Sequence, residues 1–313
     1  MTRVGAVDCG TNSIRLLIAD AEPGGRLADV VRRSEVVRLG YGVDRTGVID
    51  PAAMRRTLAM SGEYAAACRQ HGVERVRYVA TSATRDARNA LTFVQGVREA
   101  FGEYAVSPEV VSGDEEAQLS FAGATDDLVA GGIPAPYLVV DLGGGSTEIV
   151  RGTCEVAAAL SVDIGSVRLT ERHLRGDPPT QDEVARATAD IDTAIAAARA
   201  AVGFGGIGTV VGLAGSITTV TAHALRLAAY DSRRIHLAAL SAEQHDTAST
   251  ELLTMSRAER AALPFMHPGR ADVIGAGALV WRQILAAVLA DSPEAGVITS
   301  EHDILDGIAH SIA

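Results

Sequence analysis

The sequence contains no lysine. All 28 of its basic side chains are arginine, set against 39 Asp and Glu in 313 residues, for a net charge of −11. That absence removes every chemistry that needs a lysine amine: the phosphate-loop lysine, the strand lysine of protein kinases and Schiff-base catalysis. The acidic balance argues against a nucleic-acid partner. An anionic ligand must instead be gripped locally, by arginine forks, backbone amides or a bound cation. Cysteine is scarce too. Cys9, Cys68 and Cys154 are too few and too scattered for a disulfide framework or a zinc site, and read as incidental thiols in a reducing compartment. Aromatic residues make up 4%, so Ala, Val, Leu and Ile must fill the core. No uncharged apolar run approaches the ~20 residues of a membrane span, and Asp8 spoils an N-terminal signal segment. A cytoplasmic protein with no membrane partner is expected.

What is present is enough chain for two domains of about 150 residues each, and an internal echo. Val4–Asp8 reads as a buried strand, Cys9 to Ser13 as a tight turn and Ile14–Asp20 as a return strand. Tyr137–Asp141, Leu142 to Ser146 and Thr147–Arg151 repeat that order. The two turns share Asp-x-Gly-x-x-Ser: Asp8, Gly10 and Ser13 against Asp141, Gly143 and Ser146. Two such hairpins 133 residues apart imply a duplicated fold with one hairpin opening each half. Between and after them strands alternate with helices. Asp50-Pro51 opens a helix to about Gln70, Val76–Ala80 is a strand, and Asn89–Ala100 and a segment from Glu115 are helices. Gln181 to about Ala201, Ile217–Leu227, Asp272–Leu289 and Asp303–Ile312 are the helices of the second half, with strands at Val210–Leu213 and Val297–Thr299. The class is α/β.

An Asp ending a buried strand reaches a cation or its waters. Glycines after it let backbone N–H groups approach phosphate oxygens, and a Ser hydroxyl adds a donor. One such loop is a common hairpin turn; two at matched places read as a clamp on a phosphate chain. Ser112-Gly113-Asp114-Glu115-Glu116 is the second constellation. It serves equally as a helix start with acidic residues at the positive end, or as the source of a Glu that orients water toward phosphorus. Met266 to Asp272 reads as a structural turn in which Asp272 pairs with Arg270. Leu213 to Thr218 resembles the strand-turn-helix where actin-type folds receive a nucleoside, and reads equally as helix-strand packing.

These three segments, Val7 to Ser13, Ser112 to Ala117 and Asp141 to Glu148, resemble in order and spacing the signatures of the exopolyphosphatase / guanosine pentaphosphate phosphatase (Ppx/GppA) family. The likeness runs on through Thr81 to Arg85 and Ile164 to Thr170, over nearly the whole chain. It implies two ribonuclease-H-like lobes of the actin/Hsp70/sugar-kinase type with a central cleft: residues 1–125, with the closing helix of 303–313 packed on them, and residues 126–302. It also implies Mg²⁺ and removal of terminal phosphate from inorganic polyphosphate, or alternatively from pppGpp. By motif position it puts the catalytic Glu on Glu116 and metal-associated carboxylates on Asp141, Asp8 and Glu148. Phosphate contacts fall on Gly10, Thr11, Asn12, Ser13, Arg85, Gly143, Gly144, Gly145 and Ser146. A homodimer is the one protein partner expected. Two departures stand out. The C-terminal helical domains of long members are not in this sequence, so short substrates are expected to be preferred, and Leu305-Asp306-Gly307 replaces an Arg-Glu-Gly sequence. Rival readings are an actin-fold kinase, which would form ADP, and a filament protein or pppGpp sensor without turnover.

Overall fold

The computed structural model describes residues 2–22, 26–104 and 106–313. Its internal contacts divide the chain into Met1–Gly123 with Ile304–Ala313, here unit 1, and Ala124–Asp303, unit 2. The elements of the first stretch are β1 (Thr2–Cys9), β2 (Ser13–Ala21), β3 (Leu27–Val36), α1 (Val43–Thr46), α2 (Pro51–Gln70), β4 (Arg75–Ala80), α3 (Ser82–Arg85), α4 (Ala90–Phe101), β5 (Glu109–Val110) and α5 (Gly113–Ala130). There follow β6 (Tyr137–Leu142), β7 (Thr147–Gly152), β8 (Val156–Val162), α6 (Ser166–Arg172), α7 (Gln181–Val202), β9 (Thr209–Leu213) and α8 (Ala214–Ala224). Next come α9 (Ser232–Ile235), β10 (Ala238–Ala239), α10 (Ala242–Thr254), α11 (Arg257–Ala261), α12 (Ile274–Asp291) and β11 (Gly296–Thr299), and α13 (Ile304–His310) returns to unit 1.

In unit 1 the strand order is β3-β2-β1-β4-β5, and in unit 2 it is β10-β11-β9-β6-β7-β8. The first three strands of each sheet are an antiparallel meander, and the next two join it in parallel. The echo seen in the two hairpins therefore extends to whole sheets: β1, β2, β3, β4 and β5 correspond to β6, β7, β8, β9 and β11.

Alternation along the strands separates the two faces. In β1 and β2 of unit 1, Val7, Cys9, Leu16 and Ile18 join Tyr64 of α2 and Phe93, Val97 and Phe101 of α4 in one core. On the other face Val4, Ala6, Leu17 and Ala19 meet Leu119 of α5 and Ile304, Leu305 and Ile308 of α13. Gly307 allows that second contact, because a Cβ there would lie 2.0 Å from the carbonyl oxygen of Leu119. Helix α2 starts as its sequence dictates: Asp50 Oδ1 accepts from the amides of Ala52 and Ala53, and Pro51 occupies the first turn. In unit 2, Leu138, Val140, Leu142 and Ile149 pack with α7, α8 and α12 around Trp281. Thr180 and Glu183 form a reciprocal capping box at the start of α7. Helix α12 is long and apolar enough to cross a membrane by length and composition. Its buried side belongs to this core, and Arg282 on it pairs with Asp246 at 2.6 Å.

Cys9 and Cys68 are buried, and burial pushes both thiols up to about 12. Cys154 is exposed, and all three are free thiols.

Candidate active site

The two Asp-x-Gly turns close in the same way. The Gly10 amide donates to the Ser13 carbonyl at 2.9 Å, and the Gly143 amide to the Ser146 carbonyl at 3.0 Å. Each turn is then held from behind by a later segment of its own unit. In unit 1 the amides of Val37 and Arg38 donate to the Asn12 carbonyl, and the amide of Gly40 to that of Thr11. In unit 2 the amide of Ser166 donates to the Gly143 carbonyl, and those of Val167 and Arg168 to that of Gly144. Arg168 Nε reaches the Gly145 carbonyl at 2.6 Å.

Those bonds fix the direction of the remaining amides. Across a trans peptide the carbonyl and the following N–H point opposite ways. With the carbonyls of Thr11 and Asn12 anchored behind the turn, the N–H groups of Asn12 and Ser13 point forward. By the same geometry, the N–H groups of Gly144, Gly145 and Ser146 point away from α6. Each unit thus carries a fixed row of donors of the kind that receives phosphate oxygens. Glycine is required where these supports approach: a Cβ on Gly165 would lie 2.5 Å from the Gly144 carbonyl oxygen, and one on Gly40 2.4 Å from Thr11 Cγ2.

The carboxylates differ in their partners. Asp141 and Glu148 stand directly opposite each other on β6 and β7. Both are nearly buried, on the face turned away from Leu138, Val140, Leu142 and Ile149. Ser161 of β8, the register partner of Glu148, donates to Glu148 Oε1 at 2.7 Å. Asp8 instead pairs with its own register partner Arg15, whose Nε and terminal nitrogen reach Asp8 Oδ2 at 2.9 and 2.6 Å. Asp8 is therefore half of an ion pair, and the sequence reading did not anticipate Arg15.

Unit 1 also carries Glu116. The first turn of α5 begins at Ser112, whose Oγ accepts the Glu115 amide at 3.2 Å, so Ser112 and not Asp114 holds that amide. Its two adjacent glutamates then diverge. Glu115 is half-buried and bonded to Arg77 at 2.7 Å, whereas Glu116 is 7% exposed. Arg85 Nη1 donates to Glu116 Oε2 at 3.0 Å and to the Val111 carbonyl at 2.9 Å. Arg85 ends α3, and α3 is tied to the first hairpin by the 2.8 Å bond between Ser82 and Thr11 hydroxyls. Hairpin, arginine and glutamate are thus linked in one connected structure.

Comparison with known proteins supplies the family. The model of the Ppx/GppA phosphatase family matches residues 17–312. The chain belongs to this family. It is 48% identical over 318 residues to exopolyphosphatase 2 of Mycobacterium tuberculosis, covering 100% of this chain and 99% of that protein. The crystal structure of an exopolyphosphatase-like protein, 44% identical, superposes with a TM-score of 0.94 over 99% of this chain and 97% of that one. The Ppx/GppA family member of Aquifex aeolicus, at 30% identity, gives 0.81 with the same coverages. The fold is the two-sheet, actin-like one of these Ppx/GppA structures.

Other segments take structural places. In Leu305-Asp306-Gly307, Asp306 is buried and pairs with Arg32 of β3 at 2.5 Å. Burial works against the Arg32 charge, yet the bonds to Asp306 and Asp29 outweigh it and raise its pKa. Arg270 lies across Gly215 and donates to its carbonyl at 3.4 Å. Asp272 lines a cavity of about 240 Å³ in unit 2 with Arg175, Asp177, Arg257 and Arg260. Arg260 is buried there, its guanidinium holding the carbonyls of Met255 and Ala271. Sequence reasoning gave no role to Gly165, Arg168 or Ser161. Gly165 and Arg168 stand within the Ile164 to Thr170 stretch that carried the family likeness, and that stretch is the signal by which both were accessible.

Proposed function

We propose that this Ppx/GppA protein is an exopolyphosphatase that hydrolyses the terminal anhydride of inorganic polyphosphate with the help of Mg²⁺. The observation that carries the reading is the matched pair of anchored turns, each presenting backbone N–H groups in one direction and each following a strand-end Asp. Such donors suit a repeating phosphate chain, which offers oxygens and nothing else to recognise.

In this reading phosphate oxygens are received in unit 1 by the amides of Asn12 and Ser13 beside the Ser13 hydroxyl, and in unit 2 by the amides of Gly144, Gly145 and Ser146 beside the Ser146 hydroxyl. Nη1 of Arg85 serves Glu116 and Val111, which leaves Nε and Nη2 for a phosphate. Glu116, held by Arg85, accepts a proton from a water and orients its lone pair toward the terminal phosphorus. The P–O bond to the chain breaks as the new one forms, giving orthophosphate and a chain one unit shorter. No enzyme-bound covalent intermediate is needed.

The donor set suits Mg²⁺. Asp141 and Glu148 offer hard oxygens from opposite strands, and Glu148 is steadied by Ser161. Mg²⁺ is held by one or two carboxylates plus substrate phosphates and keeps several waters. Bound there, it supplies neutralisation of the phosphate charge that builds at the leaving oxygen. Asp8, already neutralised by Arg15, orients that arginine and contributes less to the cation.

The alternative substrate, pppGpp, also needs a pocket for its base. The Leu213 to Thr218 turn, where actin-type folds receive a nucleoside, has Arg270 lying across Gly215, so that turn favours polyphosphate. The experiment is phosphate release from polyphosphate, pppGpp and ATP side by side, with and without Mg²⁺. Mg²⁺-dependent release fastest from polyphosphate is expected; release from pppGpp alone, or ADP formed with an acceptor, would overturn the reading.

A further inference from the structure

Unit 2 holds a second constellation that phosphate chemistry does not use. His236 follows α9, His302 follows β11, and Asp127 lies on the last turns of α5. Among the described residues, these three are the one group of His, Cys, Asp or Glu whose ligand atoms all lie within 4.8 Å of one another. His302 Nδ1 is 2.5 Å from Asp127 Oδ2, and His236 Nε2 is 3.4 Å from the same oxygen. The two imidazoles are tilted against each other with ring centroids 4.5 Å apart.

The backbone places these side chains together for definite reasons. Strand β10 pairs antiparallel with β11, Ala238 opposite Thr299. The Leu237 amide donates to the Thr299 carbonyl at 2.7 Å, and Leu237 takes a left-handed φ of 56°. That register carries His236 to Glu301, whose amide donates to His236 Nδ1 at 3.3 Å. Ser300 closes the turn after β11 by bonding to the amide and carbonyl of His302. The cluster thus sits beyond the carboxyl end of the parallel strands β9 and β11, where open α/β sheets place ligands. Asp127 and His302 also lie on the two stretches at which the chain enters and leaves unit 2.

We propose that Asp127, His236 and His302 form a binding site for one transition-metal cation of the Zn²⁺ type. Two imidazole nitrogens and one carboxylate are the donor set that suits zinc, cobalt or nickel, and not Mg²⁺. Ligands about 2.1 Å from a tetrahedral ion stand roughly 3.4 Å apart. The His236–Asp127 separation already has that value, and the His302–Asp127 pair must open by roughly 1 Å. All three side chains are partly exposed, which leaves the fourth position to water. Binding through His236 Nε2 moves its proton to Nδ1, so the long bond from the Glu301 amide is given up. Two neutral imidazoles and one carboxylate leave the bound ion with a single net positive charge. An occupied site would fasten together the two chain stretches that bound unit 2.

The test uses the full-length protein freed of metal by a chelator and dialysed. Zn²⁺ is titrated by calorimetry, and Co²⁺ by its visible absorption. His236→Gln and His302→Gln are measured beside the wild type, with circular dichroism to verify their folds. Wild type should bind one more equivalent of Zn²⁺ than either variant. Its Co²⁺ complex should show the intense absorption of four-coordinate nitrogen and oxygen ligation, weakened at least tenfold in both variants. Saturating Zn²⁺ should also raise Tm in the wild type and leave the His236→Gln Tm unchanged. Equal Zn²⁺ stoichiometry and equal Co²⁺ spectra in all three proteins would overturn the proposal. So would a wild type that takes up no Zn²⁺. Polyphosphate hydrolysis is followed separately, and its presence or absence decides nothing about this site.

Discussion

Arg85 donates to Glu116 Oε2 at 3.0 Å while the same nitrogen donates to the Val111 carbonyl. A buried carboxylate held this way has one orientation, and the neighbouring Glu115 is drawn off to Arg77 on the surface. The two adjacent glutamates therefore sit in different surroundings. Arg85→Gln should lower kcat about 10–100-fold and also raise KM, since the glutamate's orientation and the proposed phosphate contact would both be lost. In the double variant with Glu116→Gln, the Arg85 effect on kcat should largely vanish, because the two act as one unit. Glu115→Gln should change kcat less than threefold. Steady-state kinetics on the wild type and the four variants read all of this, and additive losses would separate Arg85 from Glu116.

The metal requirement should track the unequal partners of the two strand-end aspartates. Asp141→Asn removes an anionic oxygen opposite Glu148, so the Mg²⁺ concentration for half activity should rise about tenfold or more and the maximum rate should fall. Asp8→Asn removes the negative charge opposite Arg15, and should depress the rate with a smaller shift in the Mg²⁺ titration. Identical Mg²⁺ curves for wild type and Asp141→Asn would take the cation away from that hairpin.

The strand-turn-strand hairpins, the α2 cap and the Ser112 to Glu116 segment were legible because each rests on local chemistry. Asp50-Pro51 caps a helix wherever it occurs, and Asp-x-Gly needs no distant partner to turn. The third strand of each sheet was not read. The edge strand β3 carries Asp29, Arg32, Arg33 and Glu35 and has no buried residue, and in β8 an Ala-rich run has the composition of a helix but pairs with β7. Arg15 and Ser161 were missed for a related reason: their roles come from cross-strand register, Asp8 with Arg15 and Glu148 with Ser161, which no motif encodes. Gly307, where a Cβ would collide with Leu119, was seen only as part of a variant signature.

Gly165 supports the loop that presents the unit 2 amides. Gly165→Ala puts a methyl carbon 2.5 Å from a backbone oxygen, so the loop itself must move. A stability loss of about 1–3 kcal/mol is expected, together with a fall in kcat/KM of at least tenfold. Gly62→Ala is the control: it lies inside α2 with open space around the new methyl. It should stabilise by about 1 kcal/mol at unchanged activity. Urea titration and kinetics on both variants decide the matter, and a fully active Gly165→Ala would remove the loop from the mechanism.

His245 should make stability pH-dependent. It is fully buried in unit 2, accepts the Trp281 Nε1 hydrogen on Nδ1 at 3.1 Å, and its Nε2 has no partner among the described residues. Burial lowers its pKa from 6.5 to about 4. The unfolded chain therefore binds this proton more readily than the folded one. The stability is fully present above about pH 6.5 and is lost as pH falls through 4, by about 3 kcal/mol in all. Urea unfolding at a series of pH values should show that slope, reduced in His245→Leu after allowance for the offset from the lost Trp281 bond. An equal slope in the variant would place the proton uptake elsewhere.

The central claim is that Glu116 orients the water that attacks phosphorus. It is tested most directly by single-turnover hydrolysis of polyphosphate of defined length in saturating Mg²⁺, wild type against Glu116→Gln, with substrate affinity measured in parallel. The amide rows and Arg85 remain in the variant, so Kd should change less than threefold while the chemical step slows by about 10²–10⁴-fold. A Glu116→Gln protein that binds polyphosphate normally and cleaves it at the wild-type rate would contradict the account.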